Sequence, residues 1–173
     1  MSQQTQNLMK KISITKVVLN MGIGKSGEPI DLGKKALEQI TGKKPNARNA
    51  KKSQRDWGVR KGEPIGVAVT VRGDDANKLI KKLLVAKDNQ VKESAFDDEG
   101  NLSFGIKEHI DIPEIKYDPK IGILGLEVSI TLGRPGFNIK HRSLRKAKVG
   151  KNHRIRKNDA IKFLTDEFGV EIV

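Results

Sequence analysis

Ile65-Gly-Val-Ala-Val-Thr-Val-Arg72 alternates without a break. Ile65, Val67, Val69 and Val71 fall on one side; Gly66, Ala68, Thr70 and Arg72 fall on the other. A period of two is that of a β-strand, and one apolar face against one polar face places the strand at the boundary of a core. Half-buried strands of this kind belong to antiparallel or mixed sheets, because parallel strands covered on both sides read as continuous apolar runs. Residues 125–132 repeat the pattern, with Leu126, Val128, Ile130 and Leu132 against Glu127, Ser129 and Thr131. Residues 12–21, carrying Ile12, Ile14, Val17, Val18 and Leu19, and the stretch Leu102–Ile106 read as further strands.

Three helical periods accompany them. Leu32, Ala36, Leu37 and Ile40 share a face over 31–41, and Gly42 stops that helix. Asp74 can cap a second, whose face is Ala76, Leu79, Ile80, Leu83 and Leu84. A third runs from about Asn158, as cap, through Ile161, Leu164 and Phe168 to Gly169. The expectation is an α+β fold: an antiparallel or mixed sheet with helices packed on one face, plus a long basic loop over 43–61 and a basic C-terminal segment. At 173 residues this is one domain. It divides into a frayed polar tail over 1–10, a core over 12–133, and a basic extension with a closing helix over 134–173.

The charge is strongly positive, 34 Lys+Arg against 21 Asp+Glu, and it is clustered. Residues 43–61 hold eight basic side chains and one acid, and residues 140–157 hold nine and none, so half of all the cations lie in two short stretches. A solubilising surface mixes its signs; two nearly acid-free runs point to a polyanion such as a nucleic acid. The chain has no cysteine, which removes disulfides and thiolate metal sites. No apolar run approaches the roughly 20 residues of a membrane span, and the polar N-terminus lacks the apolar core of a signal peptide. The expectation is a cytoplasmic protein with no membrane partner.

Gly22-Ile-Gly-Lys-Ser-Gly27 follows the first strand and spells G-x-G-x-x-G. A dinucleotide site needs a helix opening at the third glycine, an acid about 20 residues on and a second parallel strand. Here Glu28-Pro29 is expected to delay the helix, the acid is missing, and a basic loop occupies the place of the strand. A nucleotide-binding enzyme using Gly22–Gly27 is thus the alternative reading, and the favoured one is a glycine turn whose bare amides, with Lys25, could hold an RNA phosphate. His109, His141 and His153 show no ligand spacing, so neither metal nor cofactor is expected. Aromatics are only 4%, which argues against base stacking across the sheet. Trp57, between Arg55 and Arg60 in the first basic run, is expected to anchor its loop in the core, or else to stack on a nucleotide.

Several strings in order carry a resemblance: Leu19-Asn-Met-Gly22, Thr41-Gly-Lys-Lys-Pro45, Ala50-Lys-Lys-Ser53, Arg60-Lys-Gly-Glu-Pro-Ile-Gly66, Val69-Thr-Val-Arg-Gly73, Ile112-Pro-Glu-Ile-Lys-Tyr-Asp118 and Gly125-Leu-Glu-Val-Ser-Ile-Thr131. From about Ile12 to the end the chain resembles the ribosomal protein family numbered five in the large subunit. Arg134-Pro-Gly136 through Val149-Gly-Lys-Asn-His153 to Phe163 is similar to its archaeal and eukaryotic branch. The resemblance implies a structural constituent, not an enzyme, that holds 5S rRNA against large-subunit rRNA in the central protuberance beside other ribosomal proteins. On that analogy Lys16, Asn20, Gly22, Lys43, Lys44, Thr70 and Arg72 would touch 5S rRNA. Lys51, Lys52, Ser53, Gln54 and Arg55 would touch peptidyl-site tRNA. Lys140, Arg142, Arg145, Lys148, Lys151, His153, Arg154 and Arg156 would grip rRNA phosphates.

Overall fold

A computed structural model describes residues 7–24, 26–115 and 117–173. Its strands are β1 (Ser13–Gly22), β2 (Asn46–Asn49), β3 (Pro64–Val71), β4 (Gln90–Val91), β5 (Leu102–Ile106), β6 (Leu126–Gly133) and β7 (Glu171–Ile172). Its α-helices are α1 (Glu28–Thr41), α2 (Asp74–Val85) and α3 (Lys157–Phe168). Five strands form one sheet in the order β2-β3-β1-β6-β5, and every pair in it is antiparallel. The α+β expectation holds.

Cross-strand partners share a face, so the register sorts the sheet into two sides. Val71, Val17, Ile130 and Leu102 form one row across it, and Val69, Leu19, Val128 and Phe104 another. These rows are buried or nearly so and pack against Ile30, Ala36 and Leu37 of α1, the whole apolar face read for α2, and Ala160 and Leu164 of α3. Among the described residues no α-helix covers the rows of the opposite face. Its rows are Thr70, Val18, Ser129 and Ser103, then Ala68, Asn20, Glu127 and Gly105.

Strand β1 changes phase midway. Ile14 pairs with Leu132 but Lys16 pairs with Thr131, a β-bulge at Thr15. The bulge lets Ile14 and Val17 both face the core and turns Lys16 to the open side.

The structure corrects several local expectations. Helix α1 starts at Glu28, directly after Gly27, with Pro29 in its first turn. Proline is tolerated there because its missing N–H would have had no helical acceptor. Helix α2 is capped by Gly73, not Asp74, and α3 by Arg156, not Asn158. Arg156 has no acceptor atom to give the helix, so only the return arm of a capping box forms, from its own amide to Asp159 Oδ2 at 3.4 Å. The 43–61 run is not a structureless loop: β2 pairs with β3 inside it. Within the stretch read as a frayed tail, Leu8–Lys10 forms an exposed 3₁₀ turn capped by Asn7. Residues 1–6 of the expected tail, and Lys25, lie outside the described residues. A second sheet has no counterpart in the sequence reading: β4 and β7 pair in parallel, and Val173 exchanges backbone bonds with Glu93 and Val91.

Candidate nucleic-acid interface

Lys16, Asn20, Gly22, Thr70 and Arg72, scattered over 57 positions of sequence, arrive on the uncovered side of the sheet. Each has the even position that the β1–β3 register places opposite the core rows. Lys16, Arg72 and Thr131 line one cavity, which fixes Arg72 on that side although β3 has ended at Val71. Asn20 Nδ2 donates to Glu127 Oε2 at 3.1 Å, and Ser103 Oγ bonds Ser129 Oγ at 3.1 Å. The surface is shallow and polar, made of small side chains, and a Cβ at Gly66 would stand 2.8 Å from the Met21 carbonyl oxygen. No aromatic residue among those described lies in its rows.

Two lysines part company. Lys44 is exposed, but Lys43 Nζ reaches Asp75 Oδ2 at 2.8 Å on the helix side of the sheet. That hydrogen bond holds the Asp75 carboxyl below its usual pKa. Sequence reasoning missed Asn46 and Arg48. Their partners Ala68 and Gly66 put both on the open face, and a four-residue polar edge strand has no apolar period to reveal it.

The first basic run forms a hairpin extension between β2 and β3. Ala50 and Gln54 pair across it with residues 62–63 and Val59, at 2.8–3.1 Å. The Lys61 amide donates to Ser53 Oγ at 3.0 Å, and that of Arg60 to Glu63 Oε2 at 3.0 Å. Lys51, Lys52, Ser53, Gln54 and Arg55 are all exposed. Trp57 does not anchor the loop in the core: it is 76% exposed at the tip. The turn Arg55–Trp57 ends in a left-handed Gly58, which carries the indole outward.

The second basic run is held down by few groups. Arg134 Nη1 donates to the carbonyls of His153 and Arg154 at 3.4 and 3.2 Å, and Nη2 meets Asp159 Oδ2 at 3.2 Å. Its Nε is buried and finds no acceptor among the described residues. His153 is used structurally: Nε2 lies 2.8 Å from the Pro135 carbonyl, which can only accept, and the ring meets Phe137 edge-on. Arg142 grips the Arg145 carbonyl through Nε and Nη2, and Lys140 pairs with Glu99 at 3.1 Å. Arg145, Lys148, Lys151, Arg154 and Arg156 remain exposed. Asp159→Ala removes the partner of a guanidinium that is largely buried. We expect it to cost about 2 kcal/mol, between the values for exposed and buried pairs, read as a lower urea midpoint at unchanged slope.

Two amides of the glycine turn are already committed within the fold. The amides of Ile23 and Gly24 both donate to the Ile65 carbonyl, at 3.0 and 2.8 Å. Although α1 does open at the third glycine, β1 is flanked by antiparallel neighbours, whereas a dinucleotide site requires a parallel βαβ unit. Among the described residues no helix is long and apolar enough to cross a membrane.

The open face and the C-terminal segment form one surface, since the cavity that takes Lys16 and Arg72 also takes Lys140 and His141. Comparison with known proteins agrees over nearly the whole chain. Residues 7–60 match the family model described as Ribosomal protein L5, and residues 64–163 match the model of the same ribosomal family's C-terminus. The chain is 64% identical over 172 residues, 99% of each chain, to the large ribosomal subunit protein uL5 of Nitrosopumilus maritimus. It is 61% identical to the protein of the same name from Cenarchaeum symbiosum, covering 95% of this chain and 98% of the relative. Against that of Pyrobaculum aerophilum it is 48% identical, covering 95% and 92%.

Proposed function

The chain belongs to the ribosomal protein L5 family, a structural component of the large ribosomal subunit, and on that premise we propose that its open sheet face binds 5S rRNA. The hairpin tip then reaches peptidyl-site tRNA, and the C-terminal segment grips large-subunit rRNA. Together they anchor 5S rRNA in the central protuberance, among neighbouring ribosomal proteins.

The observation that carries this reading is the gathering of Lys16, Asn20, Gly22, Thr70 and Arg72 on one face that no α-helix among the described residues covers. The chemistry suits an RNA duplex. A-form RNA presents a wide, shallow minor groove lined with 2′-hydroxyls, which a flat surface of small polar groups can approach closely. Asn20 and Thr70 can both donate and accept towards such hydroxyls, while Lys16 and Arg72 meet the flanking phosphates. Lys44, Asn46 and Arg48 extend the face at its β2 edge. Lys43 is left to Asp75, and His153 to Pro135. Arg145, Lys148, Lys151, Arg154 and Arg156 remain for phosphates.

Titration of the protein with 5S rRNA, in competition with bulk tRNA at fixed salt, tests the reading. Binding of 5S rRNA at least tenfold tighter than tRNA is expected, and equal affinities contradict it. The tRNA arm has its own test, because Trp57 is the only tryptophan in the chain. Indole emission should stay nearly constant when 5S rRNA binds and be quenched when tRNA is added to that complex. Trp57→Ala should weaken the tRNA step about tenfold, the scale of one lost stacking contact, and leave 5S affinity unchanged.

A further inference from the structure

Between the turn at 97–101 and the C-terminal basic segment lies a cavity of about 470 Å³. Its floor is apolar, made by Phe137 and Ile155, and the exposed Ala147 also lines it. Ile155 is buried in the main core and Phe137 packs against that core, so the floor is fixed. Its rim is cationic, with Lys146, Lys148 and Arg154. One acid stands at the opening: Glu99, whose Oε2 meets Lys140 Nζ at 3.1 Å. The turn beneath Glu99 is rigid. Asn101 donates to both Asp97 carboxylate oxygens at 2.7 Å, and Gly100 is wedged against Ile155.

A phosphate backbone needs none of this. Exposed lysines on a flat surface hold phosphates, an apolar floor adds nothing to them, and a fixed carboxylate repels them. An apolar floor inside a ring of cations instead suits a whole nucleotide, with its ring on the floor and its phosphate on the rim. A volume of about 470 Å³ is ample for one nucleotide. A carboxylate can only accept, so Glu99 calls for an N–H donor, which the amino-bearing edges of guanine, adenine and cytosine supply.

We infer that this cavity holds a single nucleotide turned out of a structured RNA, its base on Phe137 and Ile155, its amino edge at Glu99 and its phosphate on Lys146, Lys148 and Arg154. The inference rests on the RNA-binding reading and goes beyond it, because it gives the C-terminal segment a base to read as well as phosphates to neutralise. Guanine, whose N1–H and N2 amino group lie side by side, suits the carboxylate best; uracil offers a single N3–H between two carbonyls that the carboxylate repels.

The test uses the full chain and short RNA hairpins at one salt concentration. One hairpin carries a single bulged guanosine, one a bulged uridine, one an abasic bulge, and one is fully paired. The guanosine bulge should bind about tenfold tighter than the abasic and paired hairpins, the scale of one stacked base. Ala147→Phe, which fills the cavity from an exposed position, should abolish that preference without lowering the melting temperature. Glu99→Gln should narrow the gap between guanosine and uridine. Equal binding of all four hairpins overturns the inference and leaves the RNA-binding reading standing; failure to bind any hairpin overturns both. If GMP binds at micromolar concentration while the bulge confers no preference, the cavity belongs to a free nucleotide and the RNA inference fails.

Discussion

Arg72→Glu is expected to weaken 5S rRNA binding roughly 100-fold. A lost charge-assisted contact costs about 1.5–3 kcal/mol, and the new carboxylate adds repulsion from the phosphate; together they come to about 3 kcal/mol. The fold should survive, because Arg72 is exposed beyond the end of β3. The salt dependence of binding should also flatten by about one in the log–log slope, as one phosphate contact is lost. Asn20→Ala should act in the same direction, by about tenfold, since it removes a donor–acceptor group and leaves Glu127 unpaired on the face. Lys52→Glu, on the hairpin, should leave 5S affinity within about threefold. Gel-shift titrations of the three variants decide the matter. An Arg72→Glu protein that binds as tightly as the parent, or a larger loss from Lys52→Glu, would refute this division of the surface.

Gly100→Val is expected to destabilise the protein by about 4 kcal/mol, combining backbone strain with overpacking. Gly100 has φ of +78°, where a β-branched side chain is strongly disfavoured. A Cβ there would stand 2.6 Å from Ile155 Cγ2 and 3.3 Å from Ala160 Cβ, and neither is the free end of a flexible chain. Ile155 and Ala160 are both fully buried, so nothing nearby yields cheaply. Chemical denaturation should show the loss directly, and the melting temperature should fall by roughly 10 °C. Gly100→Ala should show a smaller change of the same sign. An unaltered melting curve for the valine variant would mean that the 97–101 turn is not wedged against the C-terminal segment, and the rigidity ascribed to Glu99 would go with it.

What could be read in advance follows from the range of the forces involved. The alternation in Leu126–Leu132 and the face of α2 are local signals backed by one core, so the structure reproduces them; in Ile65–Arg72 the register keeps the two faces, although Gly66 and Ala68 are buried as well. Strand β2 has no such signal: Asn46-Ala-Arg-Asn49 is an edge whose place comes from its partner β3. The bulge at Thr15 is written in the sequence as a slip of apolar phase, from Ile12 and Ile14 to Val17, Leu19 and Met21, and it is the slip that sends Lys16 outward. Among the site residues, those on strands come together because parity carries across paired strands. Lys43 and His153 turn instead to Asp75 and Pro135, partners 32 and 18 positions away that no local pattern announces. Trp57 defies the ordinary preference of tryptophan for burial because a hairpin of fourteen residues, 50–63, carries it away from the core.

The absence of cysteine from the chain permits a direct measurement of whether 5S rRNA lies on the sheet face opposite the helices. Ser129→Cys places a single thiol on the open face, and Lys81→Cys places one on the exposed side of α2. Each would carry a tethered iron chelate that cleaves RNA within reach by hydroxyl radicals. In the complex with 5S rRNA, the probe at position 129 should cut the RNA at a few discrete sites and the probe at position 81 should leave it nearly intact. Stronger cleavage from position 81 than from position 129 would contradict the assignment of the face.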